Sequence, residues 1–128
     1  MKKLLFILLL LPMAAFADCS VNWTAPTENV DGSPLIDLTS YNLTINSTGT
    51  TPQVISIPGT ETSHLVALAD TGLNPYAIHM TALNSGNLES DPSPEILIQV
   101  TNGNCVVLGA SRPGSPIDLN ISINITIN

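Results

Sequence analysis

The amino-acid sequence predicts an all-β sandwich, and three observations predict it. Apolar residues fall at every second position in two separate runs, Tyr41, Leu43 and Ile45 with Asn42, Thr44 and Asn46 interleaved, and Tyr76, Ile78, Met80 and Ala82. A period of two marks a strand with one buried face. Segments rich in Pro, Gly and Asp, such as Asp31-Gly32-Ser33-Pro34, lie between such runs and punctuate strands. Charged residues make up only 10% of the chain, so the long charged side chains that favour helices are scarce.

The first segment is a leader. Lys2 and Lys3 precede an unbroken apolar run over 4–11, and Ala15-Phe16-Ala17 has the small-x-small form that a signal peptidase cuts. Residues 1–17 are read as a signal peptide, with the mature chain starting at Asp18. The uncharged stretch 4–17 is 14 residues long and contains Pro12, against about 20 needed to cross a bilayer, so stable membrane insertion is not expected. Asp18 stands where a lipoprotein would carry a small residue before its cysteine, which disfavours a lipid anchor on Cys19.

Cleavage leaves one small domain with an appendage. Arg112 is then the only Lys or Arg against ten acidic residues, a net charge of −9. Nucleic acid and anionic lipid are poor partners for such a chain. In order, strands are expected at 20–23, 39–46, 54–57, 64–68, 76–83 and 95–100, with a turn-rich loop at 24–37 and another loop at 84–94. Residues 106–116, with Gly109, Pro113, Gly114 and Pro116, read as an irregular linker.

The spaced set Trp23-Thr24-Ala25-Pro26, Asp31-Gly32-Ser33-Pro34-Leu35, the two alternating runs and Asn84-Ser85-Gly86-Asn87-Leu88-Glu89-Ser90 resembles the fibronectin type III domain. The resemblance extends over residues 23–100. It implies a seven-stranded, immunoglobulin-like sandwich over 18–105, with the six strands above as B, C, C′, E, F and G. It also implies a core marked by Trp23, Tyr41 and Tyr76 between the sheets. Two cysteines in an exported chain are expected to pair, and the resemblance places Cys19 and Cys105 at one pole. Closing so long a loop stabilises by about 4 kcal/mol in the chain-entropy argument. Zinc is a poor alternative, since two cysteines without nearby histidines do not make a tetrahedral site.

The chain departs from the family in two places. Leu73-Asn74-Pro75-Tyr76 does not fit the usual spacing of the tyrosine corner, so a remodelled turn is expected there. Only Asp18 and Cys19 precede strand B in the mature chain, so strand A is missing and a sheet edge is bare. At the other end, over 117–128, Leu119, Ile121, Ile123, Ile125 and Ile127 alternate with Asn, Ser and Thr, the pattern of a strand seeking a sheet. Three pairings are open: in cis beside the sandwich, in trans by exchange with another copy, or tail with tail.

Catalysis finds little footing. Asp70-Thr71-Gly72 is the tripeptide of aspartic proteases, but those enzymes need a pair of aspartates, and a turn between strands explains a single copy. His79 is expected to point outward between Ile78 and Met80, and His64 to be a partly buried structural residue. The acids Glu28, Asp31, Asp37, Glu89 and Asp91 lie in the two loops that the resemblance gathers at one pole, 24–37 and 84–94, and these are the candidate ligand loops. Carboxylates also suit calcium, but solvated loop acids are the simpler reading, and no metal or cofactor is expected. Sequons at Asn22, Asn42, Asn46, Asn120 and Asn124 arise readily where strand faces are written in Asn, Ser and Thr. The expectation is a non-catalytic module, not an enzyme, that binds an extracellular protein or glycan at or outside the cell envelope. The alternatives are a structural subunit that self-associates through its C-terminal strand and a virion or fibre component.

Overall fold

A computed structural model describes residues 16–110 and 124–126. Residues 1–15 of the expected leader, residues 111–116 of the expected linker and Leu119, Ile121, Ile123 and Ile127 of the expected tail strand lie outside the described residues. Eight strands follow in chain order: β1 (Phe16–Asn22), β2 (Leu38–Ser47), β3 (Gln53–Pro58), β4 (Ser63–Ala69), β5 (Tyr76–Asn84), β6 (Ile96–Thr101), β7 (Asn104–Ala110) and β8 (Asn124–Thr126). They form two antiparallel sheets, β4-β1-β8 and β3-β2-β5-β6-β7. The chain is thus an all-β, immunoglobulin-like sandwich.

The alternation read in the sequence is what packs the sheets together. Tyr41, Leu43 and Ile45 of β2, Ile78 and Met80 of β5, and Ile98 and Val100 of β6 face Val21 of β1 and Val66 and Leu68 of β4, all buried. Each large side chain so buried contributes about 1.5–3 kcal/mol before ordering costs. Trp23 meets Tyr41 edge to face, with ring centroids 5.3 Å apart, and Tyr76 is buried at the start of β5. The Trp23 indole N–H and the Tyr41 hydroxyl are both buried without a hydrogen-bond partner. Burial pushes the Tyr41 phenol above its ordinary value, and the indole N–H, close by but outside hydrogen-bonding geometry, offsets part of that rise. Cys19 and Cys105 are bonded, with Cα atoms 5.9 Å apart, so β1 of one sheet is tied to β7 of the other.

Two elements differ from the sequence expectation. Residues 106–110, expected as linker, form most of β7, a fifth strand that continues the larger sheet. The cause is the two-residue turn Asn102-Gly103, both with positive φ (52° and 74°), which returns the chain directly beside β6. Cys105 therefore sits inside a strand and not after the last one. Second, β1 begins at Phe16, where Phe16 and Ala17 pair with Ala69 and Leu68. Cleavage before Asp18 would leave β1 as residues 18–22. The edge of β1 is occupied over Ser20, Val21 and Asn22 by β8, in the register Val21↔Ile125, which is the cis arrangement among the three pairings left open by the sequence. Within this one chain β8 thus forms the outer strand of the smaller sheet, next to β1.

The remodelled corner before β5 keeps its central hydrogen bond. Tyr76 donates its hydroxyl proton to the Ala69 carbonyl at 2.9 Å, seven residues upstream. Asp70 organises the same corner: Oδ1 accepts from the Gly72 amide (3.0 Å) and Oδ2 from the Asn102 amide (3.0 Å), pinning the β6–β7 turn to the β4–β5 turn. The Gln99 amide donates to the Gly72 carbonyl from the adjacent strand. Asp70-Thr71-Gly72 is therefore a turn whose carboxylate is spent on backbone amides.

Candidate functional site

The connections 24–37, 59–62 and 84–95 all leave or enter the sheets at the end opposite that corner. The first of them folds on itself. Glu28 bridges to Pro34, the Leu35 amide donates to the Thr27 carbonyl (2.9 Å) and the Asn29 amide to the Ser33 carbonyl (2.7 Å), making a small hairpin. Asp31 and Gly32 form its tip, with Gly32 at φ 81°. Asp31 Oδ1 accepts from both the Ser33 hydroxyl (2.6 Å) and the Ser33 amide (2.9 Å). Those bonds hold the Asp31 carboxyl below its ordinary range, the hydroxyl contributing most.

The other long loop lies along β5. β6 pairs with β5 only at residues 76–78, and beyond that point Ser90 and Ser93 take its place. Their amides donate to the Ala82 and Met80 carbonyls (2.9 and 2.8 Å), while their hydroxyls accept from the Ala82 and Met80 amides (2.9 and 3.0 Å). Asn84 Oδ1 accepts from the Gly86 and Leu88 amides, both at 3.0 Å, and closes the turn. Glu89 is folded back over the outer face of the larger sheet, where its Oε1 accepts from Thr81 (2.5 Å) and Asn42 (3.3 Å). Asp37 joins the two loops: its carbonyl accepts the Ser85 amide and its Oδ2 the Ser85 hydroxyl, both at 2.9 Å.

Between these loops lies a groove of about 460 Å³. Val30, Leu35, Leu38, Ala82, Leu83 and Leu88 supply its apolar lining; Glu28, Asp31 and Glu89 supply carboxylates, with Asn29, Asn84 and Ser90 between them. Val30 and Leu88 are 66% and 71% exposed, whereas Ala82 belongs to the core and Leu38 packs against it, so the lining runs from open solvent down to the core. The volume falls within the range of small-molecule pockets, about 300–1,000 Å³.

Of the five acids singled out from the sequence, three therefore meet at one groove. Asp37 fastens the loops together beside it, and Asp91, exposed, lies outside it with its carbonyl accepting the Ser90 hydroxyl (2.9 Å). The apolar lining was not singled out in the sequence, because Val30 and Leu88 break no alternation and sit among turn residues. Asn42 and Thr81, which hold Glu89, were legible only as outward strand positions. His64 and His79 are in different sheets, on β4 and β5, and do not form a pair. Among the described residues no group of three His, Cys, Asp or Glu could hold a metal ion, and no helix is long and apolar enough to cross a membrane. Comparison of the chain with protein-family models, with curated proteins and with solved structures finds no match.

Proposed function

We propose that the protein is an exported, non-catalytic module of the fibronectin type III kind that binds a protein or glycan partner at or outside the cell envelope. The groove between 24–37 and 84–94 carries this reading. It is an open apolar concavity with carboxylates at its edge, on loops projecting from a rigid two-sheet frame. The family assignment draws support from β2 to β6, which match five expected strand positions to within about a residue, from β1, which overlaps the sixth, and from the Tyr76 hydrogen bond back to Ala69. Export draws support from the bonded Cys19–Cys105 pair, since such bonds persist in oxidising compartments.

The test is a screen of the oxidised protein against glycan and protein arrays, with Glu28, Asp31, Glu89 and Asp91 replaced by alanine in parallel. Binding should weaken while the fold is retained. Binding that survives these changes but disappears on altering Thr44 or Val54, on strand faces away from the loops, would place the contact surface elsewhere.

A second reading is a structural subunit or fibre component in which the β1 edge that β8 covers within one chain is covered instead by the same strand of another copy. Light scattering on the eluting protein, with and without residues 117–128, separates the two. Loss of stability in a monomer identifies a strand held in cis, and loss of oligomers with the domain still folded identifies exchange.

A further inference from the structure

We infer that the loop groove receives a basic side chain, arginine foremost, presented by a protein partner. This rests on the binding-module reading and narrows its ligand. The first ground is the match of shape to chemistry. An arginine carries a flexible aliphatic stem and a planar cation, and long basic side chains lay such stems along apolar surface while keeping the charge at a polar edge. The groove offers both kinds of surface, exposed Val30 and Leu88 together with the acidic residues Glu28 and Glu89.

The second ground is which carboxylate oxygens remain available. Asp31 is engaged by its own turn. Glu28 makes no side-chain hydrogen bond or ion pair among the described residues, and Glu89 uses only Oε1, held in place by Asn42 and Thr81. A carboxylate fixed by two donors to one oxygen keeps its second oxygen for a charge-assisted bond from a guanidinium, and the unengaged Glu28 carboxylate can take one bidentately.

Third, the described residues include no Lys or Arg. Residues 16–110 contain nine acidic residues, Asp18, Glu28, Asp31, Asp37, Glu61, Asp70, Glu89, Asp91 and Glu95. Their field draws basic segments toward them and repels acidic ones. A glycan is the poorer occupant, because no aromatic ring lines the groove for a sugar to stack on.

The test uses the oxidised full-length mature chain, labelled with nitrogen-15, in 0.15 M salt, where the Debye length is about 8 Å and diffuse attraction is largely screened. The probes are two capped hexapeptides that differ at one position, arginine or its uncharged isostere citrulline. The arginine peptide is expected to shift the amides of residues 28–35 and 83–90 and to bind about tenfold more tightly than the citrulline peptide. Glu28→Gln combined with Glu89→Gln should remove that difference, whereas Glu61→Gln, on the β3–β4 connection, should leave it intact.

Equal binding of the two peptides, or shifts scattered over acidic residues outside the loops, overturns the inference. A glycan that shifts the same loop amides while neither peptide does so overturns this inference and leaves the binding-module reading standing. Loop amides unmoved by any array hit defeat both.

Discussion

The two ends of the sandwich spend their polar side chains differently. At the corner end, side chains reach across the chain: Tyr76 to Ala69, Gln99 to Gly72 and Asp70 to Asn102, 32 residues away. The Cys19–Cys105 bond then crosses between the sheets. At the loop end, long-range bonds lie beneath the loops, where Thr39 donates to the Leu83 and Asn84 carbonyls and Asn42 to Glu89, while the loop tips rely on local ones. Asp31 holds Ser33 and Asn84 holds its own turn, with Asp37 to Ser85 the direct link between the two long loops. Long-range bonds restrict an end to one arrangement, while local ones shape each loop and leave the surface between them uncovered. The first end is built to hold and the second to meet something.

The largest expected effect tests the first half of that contrast. Replacing Cys19 and Cys105 together by alanine should lower unfolding stability by about 4 kcal/mol, measured by chemical denaturation. A loss below about 1 kcal/mol would mean that the corner hydrogen bonds already hold β7 against β1.

Gly59 tests whether the frame beneath the loops is as firm as the contrast requires. Its amide donates to the Thr39 carbonyl at 2.8 Å, and an added Cβ would lie 2.9 Å from the Thr39 carbonyl carbon and 3.0 Å from the Leu38 oxygen. Both are backbone atoms that cannot rotate away. Gly59→Ala should cost about 1–3 kcal/mol, and a neutral result in the same denaturation assay would show that the loop end yields.

What the sequence disclosed follows the same division. Strands with one wet and one dry face announce themselves, and β2 and β5 extend only one residue or so beyond the expected 39–46 and 76–83. β7 was hidden because Val106, Val107 and Leu108 are all partly in water and do not alternate in burial, while Gly109 and the prolines after it suggested a linker. The signal that could have found it was Asn102-Gly103, a two-residue hairpin turn between apolar runs. The carboxylates at the groove were legible as loop acids. Their division into spent and available ones was not, because it depends on partners such as Ser85, Thr81 and Asn42 that are set by folding.

Asp70 and Asp31 then form a matched pair, an aspartate at a turn tip at each end. Asp70 joins two turns that are distant in sequence, so Asp70→Ala should cost about 1–2 kcal/mol and also speed exchange of the Asn102 amide. Should the Asn102 amide keep its protection in Asp70→Ala, the corner does not depend on this carboxylate.

Asp31 should show the smaller effect, and its pH dependence gives the direction. The Ser33 hydroxyl and amide favour its charged form, so its folded pKa lies below the ordinary value of 3.8. A depressed folded pKa stabilises the native state above the unfolded value, and that contribution is lost as pH falls through the folded one. The window therefore lies below about pH 3.8, and the carboxylate is fully exposed to solvent, which keeps the effect slight. Carboxyl titration by NMR should find Asp31 among the more acidic aspartates, with the Ser33 amide moving at the same midpoint. Asp31→Ala should leave the denaturation midpoint almost unchanged while loosening the tip of the small hairpin. A midpoint shift as large as that of Asp70→Ala would mean that the loop end is held as firmly as the corner, and the contrast between the two ends would fail.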